Sequence, residues 1–248
     1  MGVSQMTTRT AVTSLVKNAA WAAGFAIRRR QPTDLGSRRV LLARNLGVDT
    51  ILDVGANEGQ WAQRLRKDGY VGVIHSFEPL ADAYQGLYRR SSRDHDWYAH
   101  NLGLGATIEE RVIHVAGNST SSSFLPMAPA HAEAAPYSTY VGEQSVSVVT
   151  LDSLWTDGFG RGDRLYLKID VQGGEMDVLR GAQSALTHVQ LLELEMSLVP
   201  LYEGQTLSGE MSGFLGSQGF ELVGLDEGFA DPRTGRLLQY DAIYRRGG

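Results

Sequence analysis

Short apolar runs alternate with amphipathic stretches and glycine-rich turns from residue 48 onward. Compact apolar runs are typical of strands buried on both faces, and apolar residues three or four apart are typical of helices. Strands joined by helices and short turns pair in parallel, with helices on both faces of the sheet. The pattern therefore predicts an α/β, doubly wound, mostly parallel sheet. The predicted strands are residues 50–54, 71–77, 97–102, 164–169 and 189–195, and the predicted helices are residues 60–68, 81–90, 175–185 and 207–218.

The middle of the chain lacks this alternation. Residues 116–140 are rich in Ser, Ala, Pro and Gly and lie between two β-like runs, residues 110–115 and 145–150. A long irregular segment inside a compact domain is usually functional, so we expect a lid or mobile loop here. Beyond it, residues 220–225 and 240–245 predict a final antiparallel pair of strands.

The first 45 residues are predicted to be a helical appendage to one domain of residues 46–248. An apolar run, residues 19–27, ends in three arginines and is shorter than the ~20 residues that span a bilayer. We expect a helix that packs on the domain or on a second subunit, with an amphipathic helix on a membrane surface as the alternative. A cytoplasmic protein without stable membrane insertion is the default, and a homodimer whose N-terminal helices help to cover the site is a further hypothesis.

The composition excludes several kinds of chemistry. Cysteine is absent from the 248 residues, which excludes a disulfide framework, a thiolate zinc site, an iron–sulfur cluster and a cysteine nucleophile. The net charge is -5, so the overall electrostatics do not favour nucleic acid, and we expect no nucleic-acid partner.

Acidic or amide side chains end every predicted parallel strand. Ligands of doubly wound sheets bind at the carboxyl ends of the strands, so these side chains are candidate site residues. They are Asp53, Glu78, Asn101, Asp170 and the pair Glu193 and Glu195.

The turn after the first strand, residues 53–59, predicts the type of cofactor. Gly55 and Gly59 let the backbone turn tightly and let a ligand approach closely. The acidic residues Asp53 and Glu58 disfavour a pyrophosphate here, and the G-x-G-x-x-G turn of nicotinamide dinucleotide folds is absent. The turn favours S-adenosylmethionine, which carries an ammonium and a sulfonium but no phosphate.

Glu78 follows the second strand, 25 residues after Asp53. A carboxylate at this position can accept hydrogen bonds from both hydroxyls of a ribose. Pro79 fixes the chain as it leaves the strand, and we place it with Glu78 in the cofactor site.

Five motifs occur along the chain in an order and spacing that resemble the FkbM-type methyltransferase family. They are residues 51–59 (ILDVGANEG), 77–79 (FEP), 149–154 (VTLDSL), 167–175 (LKIDVQGGE) and 178–181 (VLRG). The resemblance covers roughly residues 48–246. It implies a class I, Rossmann-like methyltransferase fold with a seven-stranded sheet, and an S-adenosylmethionine-dependent O-methyltransferase that acts on sugar or polyketide hydroxyls.

The resemblance also implies a role for individual residues. Glu78 would hold the ribose, and Asp170 would border the cofactor. The residues that would face the methionine part of the cofactor are Asp53, Gly55, Asn57 and Gly59, and those beside the adenine are Asn101 and Leu102. One departure matters, because Gln172 stands where the family has a glutamate. Glutamine keeps the size and hydrogen bonding of that glutamate but cannot act as a base or as a strong metal ligand.

Methyl transfer to a hydroxyl needs help with removal of the proton, from a general base or a metal. Asp170 is the first candidate for the base because it ends a strand beside the cofactor. Glu175 would either stabilise its helix N-terminus or bind the acceptor. Lys168 could pair with a carboxylate or orient the acceptor, and His114 is a further candidate base alongside His131.

Glu193 and Glu195 are two residues apart on one predicted strand, so they point to the same face. Two carboxylates on one face of an apolar strand are costly unless they are paired or functional. With Asp170 they could bind Mg²⁺ through oxygen ligands, or they could bind acceptor hydroxyls directly.

The irregular segment supplies candidate acceptor contacts. Ser121 and Ser122 lie in a hydroxyl-rich run, residues 118–123, that suits a flexible loop or a sugar-recognising lid. Tyr137 could stack on a pyranose ring or belong to the core. The leading hypothesis is methylation of a carbohydrate hydroxyl, and the alternatives are another small-molecule hydroxyl, such as a polyketide, or a methyltransferase-fold binding module without catalysis.

Overall fold

The computed structural model describes residue 22, residues 35–156 and residues 164–247. The strands are β1 (Thr50–Val54), β2 (Val73–Phe77), β3 (Trp97–His100), β4 (Gly103–Leu104), β5 (Glu109–Ala116), β6 (Tyr140–Val149), β7 (Leu165–Ile169), β8 (Val189–Ser197), β9 (Phe220–Glu227) and β10 (Gln239–Arg246). The α-helices are α1 (Leu35–Asn45), α2 (Gln60–Lys67), α3 (Ala81–Ser91), α4 (Pro129–Ala134), α5 (Leu151–Thr156), α6 (Glu175–Arg180) and α7 (Ser208–Ser217). Single 3₁₀ turns occupy Ser119–Ser121, Pro136–Ser138 and Ala185–His188.

Seven strands form the main sheet, in the order β3-β2-β1-β7-β8-β10-β9. Parallel pairs join β3 to β2, β2 to β1, β1 to β7 and β7 to β8, whereas β10 lies antiparallel between β8 and β9. The predicted α/β, mostly parallel sheet is therefore confirmed. The strand order changes direction at β1 and β7, which places their carboxyl ends at the edge where such sheets bind ligands.

The central strands are buried on both faces. Every position of β1 and β7 is buried, which explains why these segments are mostly apolar, with Asp53 and Lys168 as their charged residues. On one face Leu167 packs in a cluster with Val178 of α6 and Leu215 of α7. On the other face Ile51 packs with Leu65 of α2 and with residues of α1 and α3. These two layers hold the sheet edge in place.

A second sheet of three strands, in the order β4-β6-β5, stands beside the main sheet. The predicted strand at residues 97–102 ends at His100 instead, and the chain enters the second sheet at Gly103. The segment predicted to be irregular, residues 116–140, contains α4 and two of the 3₁₀ turns. The predicted helix at residues 175–185 ends at Arg180, where a Cβ on Gly181 would lie only 2.0 Å from the carbonyl oxygen of Gly105. Backbone contact of this kind is a tertiary feature that helical periodicity does not record.

The predicted N-terminal appendage lies largely outside the described residues, and so does the apolar run at residues 19–27, apart from residue 22. α1 is described, and its Val40 and Ala43 are buried in the same cluster as Ile51. In the described parts of the chain, no helix is both long enough and apolar enough to cross a membrane.

Candidate functional site

Two cavities lie at the edge of the main sheet where the parallel strands end. The first cavity, of about 80 Å³, is lined among others by Gly55, Asn57, Phe77, Glu78, Leu102 and Phe124. The second cavity, of about 250 Å³, is lined among others by Asn118, Ser121, His131, Tyr137, Glu195 and Gln239. Thr120, Asp170 and Gln172 line both. The two cavities therefore meet at the end of β7.

The turn between β1 and α2 requires left-handed backbone. The φ angle is 77° at Gly55, 48° at Asn57 and 84° at Gly59. A Cβ on Gly55 would lie 1.8 Å from the carbonyl oxygen of Asp170, so only glycine fits there. The N–H of Gly55 donates to the carbonyl oxygen of Phe77 at 3.0 Å. These contacts hold the ends of β1, β2 and β7 together and form the floor of the first cavity.

Glu78 joins the wall of the first cavity to this turn. Its Oε2 accepts the N–H of Asn57 at 2.8 Å and its Oε1 accepts the N–H of Leu80 at 2.9 Å. The carboxyl group is almost fully buried, and this burial raises its pKa to about 7. Asn101 donates to the carbonyl oxygens of Glu78 and Pro79, at 2.9 and 3.0 Å. Asn101 thus fixes the chain around Glu78, and Pro79 itself lines the cavity.

The loop between β5 and β6 closes the first cavity from the other side. The Nδ2 of Asn57 donates to the hydroxyl of Ser119 at 2.9 Å. Ser122 lines the first cavity, and its hydroxyl accepts the N–H of Ala116 at 3.0 Å. Leu102 belongs to the apolar part of the wall. The first cavity thus combines apolar side chains with the carboxyl groups of Glu78 and Asp170.

Lys168 lies beneath the cavities between two carboxylates. Its Nζ is 3.3 Å from Asp53 and 3.3 Å from Asp170, and 3.4 Å from the carbonyl oxygen of Gly55. Burial favours the neutral amine, but the carboxylates of Asp170 and Asp53 raise the pKa of Lys168 above its ordinary value. Asp53 is fully buried and accepts a hydrogen bond from Ser76 at 3.1 Å. Asp53 and Lys168 therefore support the turn from below and line neither cavity.

Asp170 and Glu195 are bridged by one amide group. The Nε2 of Gln172 donates to Asp170 and to Glu195, both at 2.7 Å, and Gln239 donates to the same oxygen of Glu195 at 2.9 Å. The hydroxyl of Tyr202 donates to the Oε1 of Gln172 at 2.8 Å. Burial and the nearby charge of Asp170 raise the pKa of Glu195. These amides and carboxyls form the boundary between the cavities.

The second cavity is rich in polar groups from residues 116–140, the segment predicted to be irregular. Ser121 is buried and donates to the hydroxyl of Ser138 at 3.3 Å, whereas Tyr137 is 69% exposed at the rim. The Nδ1 of His131 and the Oδ1 of Asn118 are buried and have no hydrogen-bond partner among the described residues. Burial lowers the pKa of His131, so its ring is neutral near pH 7. The cavity therefore contains an unpaired amide oxygen and an unpaired ring nitrogen, two polar atoms that a ligand could pair with.

Glu193 does not reach the cavities, although it shares a strand face with Glu195. Its carboxylate accepts hydrogen bonds from the Nε of Arg39, at 2.8 and 3.0 Å, and from the hydroxyl of Tyr166. In the described parts of the chain, no group of three or more His, Asp or Glu side chains is placed to hold a metal ion. The predicted Mg²⁺ site at Asp170, Glu193 and Glu195 is therefore not supported: Glu193 pairs with Arg39, and an amide stands between the other two.

Three other predicted residues lie away from both cavity walls. Glu175 is buried, accepts the N–H groups of Val171 and Gly173 at 3.3 and 3.0 Å, and burial raises its pKa to about 7. His114 is 3.2 Å from Glu143 and stacks on the Tyr140 ring, with 4.9 Å between the ring centroids. A Cβ on Gly59 would lie 2.8 Å from the side chains of Leu87 and Trp97.

Several cavity residues escaped prediction. The apolar wall of the first cavity includes Phe77, Ile113 and Phe124, none of which was predicted to be a site residue, although Phe77 belongs to the FEP motif. Gln239 enters the second cavity because β10 lies next to β8, an insertion that the order of elements along the chain does not reveal. Asn118 lay in the hydroxyl-rich run, so composition already pointed to that segment.

Comparison with known proteins identifies a family and a set of similar folds. The family model described as "Methyltransferase FkbM domain" matches residues 53–222. No curated protein matches the chain. A solved rRNA methylase from Streptococcus thermophilus has 10% identity and a TM-score of 0.47, with 90% of this chain and 100% of that chain covered. Magnesium protoporphyrin IX methyltransferase from Synechocystis, solved with bound SAM, has 10% identity and a TM-score of 0.46, with 94% and 96% covered.

Proposed function

The chain belongs to the methyltransferase FkbM domain family, and we propose that it is an S-adenosylmethionine-dependent O-methyltransferase acting on a sugar hydroxyl. The observation that carries the proposal is the meeting of two cavities at Asp170. One cavity would hold the methyl donor and the other the acceptor, so that the acceptor hydroxyl and the methyl group face each other. Alignment of two reactants in this way is a large part of catalysis.

The first cavity suits a cofactor without phosphates. Glu78 and Asp170 line it, and no lysine or arginine does so in the part of the chain that the structure describes. Phe77, Leu102 and Phe124 supply apolar surface for a base ring. Glu78 still has free lone pairs for ribose hydroxyls, because each of its oxygens accepts a single N–H. This donor set fits S-adenosylmethionine better than a dinucleotide, whose pyrophosphate would face carboxylates.

S-adenosylmethionine, when bound, supplies a methyl group made electrophilic by a positively charged sulfur. The chain would hold the acceptor hydroxyl and receive its proton on Asp170 as general base. Lys168 and Gln172 fix the Asp170 carboxylate from two sides, at 3.3 and 2.7 Å, and each oxygen keeps a lone pair for the acceptor. Ser121 and Tyr137 line the second cavity and would contact a polyhydroxylated acceptor bound there.

Calorimetric titration tests the donor. The full chain is titrated with S-adenosylhomocysteine and, separately, with NAD. We expect a Kd on the order of micromolar for S-adenosylhomocysteine and no heat of binding with NAD. A folded sample that binds no S-adenosylhomocysteine would contradict the proposal and favour a binding module without catalysis.

Transfer of a radiolabelled methyl group tests the acceptor and the base. Sugars and non-sugar hydroxyl compounds are offered in parallel, and label in a sugar is the expected result. Asp170→Asn should keep S-adenosylhomocysteine affinity and lower turnover about 10²–10⁴-fold. Asp226→Asn, at an exposed position of β9, is the matched control. Full activity of Asp170→Asn would remove Asp170 from the role of base, and label confined to non-sugar compounds would replace the acceptor.

A further inference from the structure

The side chain of Gln172 joins three other side chains of the site, those of Asp170, Glu195 and Tyr202. Its Nε2 donates to the Oδ1 of Asp170 at the end of β7 and to the Oε2 of Glu195 on β8, both at 2.7 Å. An amide nitrogen carries two hydrogens, so each carboxyl group receives one and none is left over. The amide therefore lies between the two carboxyl groups as their shared donor.

The rest of Gln172 is fixed as firmly. Its side-chain Oε1 accepts a hydrogen bond from the hydroxyl of Tyr202 at 2.8 Å, and its main-chain carbonyl oxygen accepts one from the hydroxyl of Ser123 at 2.6 Å. The φ angle of Gln172 is 57°, in the left-handed region that residues other than glycine rarely adopt. Such a conformation persists only where the surroundings over-determine it, and it clusters at functional sites. The side chain is thus held in one orientation at the boundary of the cavities.

Two neighbouring carboxyl groups need a proton, a cation or hydrogen-bond donors between them. The Nζ of Lys168 lies 3.3 Å from the Oδ2 of Asp170, the oxygen that Gln172 does not contact. The Nε2 of Gln239 donates a second amide hydrogen bond to Glu195, at 2.9 Å. The amide nitrogen of Gln172 lies between the Oδ1 of Asp170 and the Oε2 of Glu195, and its two hydrogens point at these oxygens. Mg²⁺ and similar ions are bound by oxygen lone pairs, so an amide nitrogen in this orientation excludes them.

We propose that Gln172 is the positioning residue of the site: its amide holds Asp170 and Glu195 as a divalent cation otherwise would, and methyl transfer proceeds without a metal. The same geometry implies that Gln172→Glu converts the three side chains into a site for a divalent cation. The statement about transfer rests on the proposed function, whereas the statement about cation binding does not.

Mn²⁺ is the probe for the cation site, measured by calorimetry and by its effect on thermal unfolding of the full chain. We expect Gln172→Glu to bind one Mn²⁺ at least tenfold more tightly than the original chain, and to lose this binding in the double variant Gln172→Glu with Glu195→Gln. Gln183→Glu adds the same charge at an exposed position and should bind no better than the original chain. A Gln172→Glu chain that folds only with Mn²⁺ would also support the proposal. No gain in Mn²⁺ binding, or a chain unfolded with and without Mn²⁺, would overturn it.

EDTA provides the readout on transfer. Activity of the original chain should be unchanged by EDTA, and activity of Gln172→Glu should fall with EDTA and return with Mn²⁺. Loss of the original chain's activity in EDTA, with recovery in Mg²⁺, would overturn the proposal. If no S-adenosylhomocysteine binds and no methyl group is transferred, the proposed function has failed, and the Mn²⁺ titrations still decide the role of Gln172.

Discussion

Glu78→Gln tests whether a buried carboxyl group forms the wall of the first cavity. Glu78 is 5% exposed, and burial raises its pKa from 4.5 to about 7. At about 1.4 kcal/mol per pH unit, this shift corresponds to about 3 kcal/mol. The folded chain holds the proton more tightly than the unfolded chain, so the stabilisation is complete below pH 4.5 and is lost as the pH rises through about 7.

The assay is urea unfolding of the original chain and of Glu78→Gln between pH 5 and pH 8. The variant pays a pH-independent penalty of about 1–3 kcal/mol, because an amide NH₂ replaces one of the oxygens that accept the N–H groups of Asn57 and Leu80. The variant has no ionisable group at position 78, however, so this part of the pH dependence is absent from it. The free energy of unfolding of the original chain, relative to that of the variant, should therefore fall by about 2–3 kcal/mol from pH 5 to pH 8.

Glu227→Gln, at an exposed position of β9, is the control and should leave the pH dependence unchanged. A difference between Glu78→Gln and the original chain that stays constant across this pH range would refute the reasoning. A second arm rests on the proposed function. S-adenosylhomocysteine should bind the original chain more tightly as Glu78 ionises from pH 6 to pH 8, because ribose hydroxyls then donate to a carboxylate. Binding to Glu78→Gln should be weaker and independent of pH.

Three further substitutions test how the site is supported. Gly55→Ala should lower the free energy of unfolding by at least about 2 kcal/mol, since it combines left-handed strain with a Cβ 1.8 Å from a backbone oxygen; an unchanged denaturation midpoint would contradict this. Arg39→Met should lower the free energy of unfolding by about 3–5 kcal/mol in urea, because it leaves the buried Glu193 carboxylate without its cationic partner. The double variant Arg39→Met with Glu193→Met should recover most of this loss. Lys168→Met should cost a similar amount by leaving Asp53 without its cation, and the loss should shrink at low pH as carboxyl groups become protonated, which the same titration at pH 4 would measure.

Much of the fold follows from local pattern. The segments that form β1 and β7 are short and mostly apolar, which is typical of a strand covered on both faces. Helical stretches between them forced parallel pairing, so the ends of the strands had to meet at one edge. Glu78 and Asp170 could therefore be placed near a common ligand site from their positions alone, and both line the first cavity.

Side-chain partners were beyond the reach of pattern. Glu193 and Glu195 have the same residue type and share a strand face, yet one pairs with Arg39 of α1 and the other borders the second cavity. The spacing along β8 decides which face of the sheet the two side chains lie on. Their partners depend on which other elements pack over each position. The same holds for Gln239, which reaches Glu195 only because β10 inserts next to β8.

The residue pattern was enough to predict the class of sheet, the edge at which the two cavities lie and the two strand ends that carry Glu78 and Asp170, because the hydrophobic period and the order of helices and strands are properties of the chain itself. The pattern could not show that Asp53 and Lys168 pair with each other and line neither cavity, that Glu193 is the ion-pair partner of Arg39, or that Gln172 joins two carboxyl groups. Those outcomes depend on contacts between residues far apart in the chain, and such distances are set by how the layers pack.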